Sequence, residues 1–199
     1  MIILVAANPN SLVLRTNQPT PSQKSITARD AQRLVWAATF FTAAVLFHNA
    51  DHTRRGVDSV SRDVFWIGTS AILLEVGVVV LACQRHRLAA LAATAAGFSL
   101  ALGYVVVHFL PERGWLSDPL ASGVGVTPVS WIAASVEVVA ALTLGIAGLV
   151  TIRRRRGLAV SGSGPGPEQR TLLQTFRHPV VLAMIAGNVI LLTITAIQY

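Results

Sequence analysis

The chain has 199 residues, of which 53% are hydrophobic and only 13% charged, and its mean hydropathy is +0.59. Such a composition excludes an ordinary soluble globule, a disordered chain and, with a single cysteine, a disulfide scaffold; it is that of an integral membrane protein. Lys and Arg number 16 against 9 Asp and Glu, an excess that needs no nucleic acid in a membrane chain, because basic residues set orientation and contact anionic headgroups.

Residues 1–33 read as a flexible cytoplasmic tail. The run from Met1 to Ala7 is apolar but too short to span, Asn8 to Ser25 is rich in Asn, Pro, Gln, Ser and Thr, and no signal-peptide pattern is visible. Beyond it lie five apolar stretches, 34–49, 64–84, 88–110, 128–152 and 179–199, each close to the roughly 20 residues that cross hydrocarbon as a helix. Lipid offers no partner to free backbone groups and nothing alternates like a barrel strand, so the expected fold is an all-α, polytopic integral membrane helix bundle with five transmembrane helices.

The first stretch ends in His48-Asn-Ala-Asp51-His52-Thr-Arg54-Arg55-Gly56. At 100° per residue His48 and His52 share a face one turn apart, with Asp51 in the same arc, a spacing that suits one metal ion held by two imidazoles. In the second stretch Glu75 shares a stripe with Gly68 and Ala71. Cys83 near its end reads as a buried, inert thiol, and His86 in the following turn as an interface residue. The third stretch carries Gly97, Ala101, Tyr104 and His108 on one face before Pro111 stops it; small residues there admit a neighbouring helix and aim His108 inward. Pro128 starts the fourth, in which Ala133, Glu137, Ala141 and Gly145 form a small-residue seam bearing one carboxylate. Residues 157–177 form a basic Gly/Pro/Ser linker that tethers the fifth helix, 178–199, to a four-helix core spanning 34–156. His178 sits at the interface, and Trp36, Trp66, Trp115 and Trp131 read as an aromatic belt.

Orientation follows from charge. Arg15, Lys24, Arg29, Arg33, Arg85, Arg87, Arg153 to Arg156, Arg170 and Arg177 fall on one side, and only Arg54, Arg55, Arg62 and Arg113 on the other. The positive-inside rule then places the N-terminus in the cytoplasm and the C-terminus outside, as in a multi-pass protein of a bacterial-type inner membrane.

Ionisable groups at membrane depth are costly, so Glu75, Glu137, His48, His52 and His108 mark a site. The expectation is an outward-facing pocket in which His48, Asp51, His52 and His108 hold a transition-metal ion such as Zn, with Glu75 and Glu137 as a proton shuttle. Counted at about 1.5 Å per residue from the helix ends, the two acids lie at similar depth but roughly 9 to 13 Å below His108, so one site using all five residues is strained. Alternatives are a haem held between histidines, a proton-coupled carrier, and a non-catalytic accessory subunit of a larger membrane complex. The expected partners are the bilayer with its anionic headgroups and either such a complex or a homo-oligomer, not nucleic acid. No Walker A, Rossmann, Gly-x-Ser-x-Gly, His-Glu-x-x-His or Cys-x-x-Cys pattern names a reaction.

Overall fold

A computed structural model describes residues 21–111, 117–160 and 177–198. Within them the chain is all-α: α1 (Pro21–Arg55), a single 3-10 turn (Val57–Ser59), α2 (Arg62–Cys83), α3 (Ala89–Tyr104) continued by a π-helical turn (Val105–Phe109), α4 (Pro128–Val160) and α5 (Pro179–Gln198). Pro128 and Pro179 occupy first-turn positions where a missing N–H costs nothing. Ser61 caps α2, its Oγ accepting from the Val64 N–H at 3.2 Å.

Two expected boundaries change. Helix α1 begins at Pro21, so residues 21–33, expected as part of a flexible tail, are helical. Tertiary contact accounts for this where local sequence did not: Ala31 and Leu34 are buried, and the buried Asp30 carboxylate pairs with Arg33 at 3.3 Å and with Arg154 of α4 at 3.2 Å. Helix α4 runs on to Val160, into the stretch expected as linker. The remainder of the expected tail, 1–20, and of the linker, 161–176, lies outside the described residues.

Among the described residues three helices are long and apolar enough to cross a membrane: α2, Ala89–Phe109 and Pro128–Gly157. At about 1.5 Å per residue the shortest of them spans roughly 30 Å. Helix α5 contributes a shorter apolar segment, Pro179–Ile190. In α1 the run free of Asp, Glu, Lys and Arg is 34–50, bounded by Arg33 and Asp51. The outside of the bundle is apolar, with Trp36, Leu73 and Leu102 among its most exposed side chains, which is the surface expected to face acyl chains.

Helices α3 and α4 form the most extensive contact, and α1 crosses α4 beside them. Small residues set the spacing. A Cβ on Gly97 would lie 2.4 Å from the Gly145 nitrogen and 2.6 Å from the Ala141 carbonyl, and one on Gly148 would lie 2.6 Å from the Ala90 carbonyl. The two backbones therefore touch, the close approach on which helices rely in lipid, where there is no water to expel. Helix α5 docks on α1 and α2; the Asn49 amide donates to Asn188 Oδ1 at 2.7 Å, and Gly187 leaves room for Leu46.

Candidate metal centre

The site is built where α1 outlasts its apolar run. Its last two turns carry His48, Asp51, His52, Arg54 and Arg55 before Gly56, at φ +81°, turns the chain toward α2. Across from them α3 changes from α to π winding at Val105–Phe109. Such an insertion shifts the register of the residues that follow it, and here it accompanies a His108 that is buried. The loop after α3 then docks on that helix end through its backbone, Asp118 N to Val107 O at 3.1 Å and Leu120 N to His108 O at 2.9 Å, satisfying two terminal carbonyls.

Three imidazoles meet there. His48 and His52 stand edge to face with ring centroids 4.5 Å apart, His48 and His108 with centroids at 4.8 Å, and His52 and His108 at 5.6 Å. One nitrogen from each lies within 4.8 Å of the others, and the Nε2 atoms of His48 and His52 are 2.9 Å apart. Ligands about 2.0 to 2.1 Å from a tetrahedral ion stand roughly 3.3 Å from one another, a separation of the same scale as that between these nitrogens. A porphyrin between two of these rings has no room, since they are in direct edge contact.

Asp118, which the sequence did not single out, orients this cluster. Its carboxylate Oδ2 lies 3.4 Å from His108 Nδ1 and 3.9 Å from His52 Nδ1, and its backbone carbonyl is 3.2 Å from the same His108 nitrogen. Toward His108 this is the arrangement by which an outer carboxylate fixes the tautomer of a metal-ligating histidine; His52 Nδ1 lies beyond hydrogen-bond distance of it. Asp118 is itself clamped by Arg55, whose guanidinium donates in a fork to Oδ2 at 2.9 Å and Oδ1 at 2.7 Å while also reaching the carbonyls of Val124 and Ser59. Burial alone would raise the Asp118 carboxyl; the hydrogen bonds from His108 and Arg55 hold it well below the ordinary carboxylate range.

Asp51 has a different place from the one expected. It is buried, but its Oδ1 takes Arg54 Nε at 2.9 Å, and Arg54 reaches on to the Gly125 carbonyl, Thr127 Oγ1 and Ser130 Oγ. The clustered ligand atoms are those of the three histidines alone. Arg54 and Arg55, expected to mark orientation, thus tie the end of α1 to the loop before α4.

One of the two buried acids comes closer to the histidines than counting residues implied. Glu137 Oε2 lies 3.5 Å from His48 Nε2. The discrepancy has a simple source: α1 continues to Arg55, which sets His48 roughly 10 Å below the helix end at about 1.5 Å per residue. The Tyr104 hydroxyl donates to Glu75 Oε1 and also faces Glu137, so Glu75, Tyr104, Glu137 and His48 form a continuous polar file. Neither Glu75 Oε2 nor Glu137 Oε2 has a hydrogen-bond partner. Both acids line a cavity of about 280 Å3 together with all three histidines.

No family model, curated protein or solved structure matches the chain.

Proposed function

We propose that this is a multi-pass inner-membrane protein, its N-terminus cytoplasmic and all five helices crossing the bilayer, that binds one transition-metal ion at its outer side through His48, His52 and His108. The observation that carries the reading is the convergence of three imidazoles in front of a carboxylate that faces Nδ1 of two of them. Metal sites use an outer carboxylate of this kind to raise ligand basicity and hold ring orientation. An all-imidazole set suits Zn, Cu, Fe or Ni.

A bound ion would supply Lewis acidity and an acidified water. Glu137, next to His48, is the group placed to accept a proton released there, and Tyr104 and Glu75 extend the file toward the middle of α2. The same file supports proton movement coupled to ion binding.

Purified protein in detergent or nanodiscs is expected to carry about one metal ion per chain by elemental analysis. Replacing His48 and His108 together by Ala should abolish it, while far-ultraviolet circular dichroism keeps its helical shape. Metal content unchanged by that double substitution, in a folded protein, would remove the proposal.

A further inference from the structure

The cavity that ends at the metal centre has a second character along its length. Its α2 wall runs from Val64 to Glu75, roughly 16 Å of helix at about 1.5 Å per residue, and the side chains along it are mainly apolar: Val64, Ile67, Ile72, Leu100 and Val107. Spread over that distance, about 280 Å3 is a slot rather than a chamber, though larger than the ~150 Å3 apolar cavity that takes up a benzene ring. The outer half of α2 leaves it open, because every buried residue of that helix lies at Glu75 or beyond. Gly68 of α2 and Gly103 of α3 both line the slot, and neither has anything within 4 Å of where a Cβ would stand. These are open positions, not the closed small-residue contact seen between α3 and α4.

At its inner end the slot meets Glu75 and Glu137, 3% and 2% exposed; among the described residues Glu75 Oε2 has no hydrogen-bond partner, and Glu137 Oε2 has only the His48 ring beside it, at 3.5 Å. Buried polar atoms without partners are costly, and a ligand that supplies the missing bonds offsets that cost. Its tail must be apolar, to lie along a wall embedded in one of the membrane-length helices. Its head must not be anionic, because two carboxyl groups face it; an ammonium would be stripped of its water and offset that cost only against an ionised carboxylate. A hydroxyl is neutral and both donates and accepts, so it satisfies a carboxyl group in either protonation state.

We infer that this slot binds a membrane-borne, single-chain alcohol, entering beside α2 with its tail along the apolar wall and its hydroxyl at Glu75 and Glu137, next to His48. The inference deepens the metal reading and rests on it only for what adjoins the head group; the slot itself stands on its own geometry.

The test uses the full chain in nanodiscs and a long-chain fatty alcohol carrying a photoreactive diazirine in its tail, with adducts mapped by mass spectrometry and metal content measured on the same samples. Saturable adducts are expected on the slot wall at Ile67, Ile72 or Val107, displaced by unlabelled alcohol but not by the corresponding alkane. Gly68→Leu, which places a side chain in the open space, should cut saturable labelling by about tenfold or more with metal content unchanged. Labelling spread over the lipid-facing surface, equally displaced by alkane and insensitive to Gly68→Leu, would overturn the inference. The two readings separate in the His48→Ala/His108→Ala protein: loss of metal with slot labelling kept supports both, and a wild-type protein without metal but with slot labelling removes the metal reading alone.

Discussion

Helix α3 meets α4 with backbone against backbone at Gly97 and Gly145, yet on its α2 side Gly103 faces open space. The same residue type serves opposite ends. On one side the missing Cβ admits a neighbouring helix to van der Waals contact, the main source of helix association in lipid; on the other it enlarges a cavity. The polar residues follow that division. Ala93, Ala96, Ala140, Ala141 and Leu144 fill the closed contact, whereas the histidines and both acids line the open one. The backbones approach most closely where α3 meets α4, and the chemistry is set beside a face that packing leaves unfilled.

Breaking the clamp that holds the open side together should have the largest effect. Arg55→Ala leaves the Asp118 carboxylate buried without its forked partner, and removing one member of a buried pair costs about 3 to 5 kcal/mol; a chemical unfolding series in detergent would measure it. The pH dependence has a definite sign. Because Asp118 is held below its ordinary value when folded, its contribution is complete above the unfolded carboxyl pKa of about 3.9 and is lost only as pH falls through the lower folded value. Wild type should therefore keep its advantage over Asp118→Asn down to about pH 4 and lose it only in stronger acid. Next in size is Gly97→Ala, whose new methyl would overlap the Gly145 and Ala141 backbones; neither can swing aside as a side chain would, so a loss of about 1 to 3 kcal/mol is expected in the same assay.

The sequence made the closed side of this comparison easier to read than the open one. Pro128 and Pro179 mark helix starts, Pro111 a stop, and the run Gly97, Ala101, Tyr104 and His108 gives the inward face of α3, because each follows from local stereochemistry or a 3.6-residue period. The stripe of Gly68 and Ala71 beside Glu75 looks the same in sequence but lines a cavity instead of a contact. Periodicity identifies a face without saying whether anything covers it. Asp118 escaped notice because it lies in a loop, where no period operates; its one local signal is the Asp-Pro pair with Pro119, which favours a turn. The early start of α1 depends on Asp30 meeting Arg154, a pairing far apart in the chain.

Two further substitutions probe the polar side, the first read through metal affinity on the folded protein. Asp118→Asn keeps the shape but weakens the acceptor facing His52 and His108, and loss of such an outer carboxylate lowers metal affinity about 10- to 100-fold; a competition titration with a chelator reads this directly, and unchanged affinity would detach Asp118 from the metal site. Glu75→Gln retains an acceptor for Tyr104, so the expected loss of stability is about 1 kcal/mol or less, the scale of one interhelical hydrogen bond in a membrane.

The smallest effect has the opposite sign. Gly103→Ala adds a methyl where nothing lies within 4 Å, so it should meet no resistance from packing, and removing a glycine from a helix interior stabilises by about 0.5 to 1 kcal/mol. Paired with Gly97→Ala, it is one chemical change made twice on one helix, less than two turns apart and toward different neighbours. Opposite shifts in unfolding midpoint would establish that the two sides of α3 differ in kind. Equal losses at both positions would mean that α2 closes on α3 in the bilayer, and the slot along with its access to Glu75 would go with it.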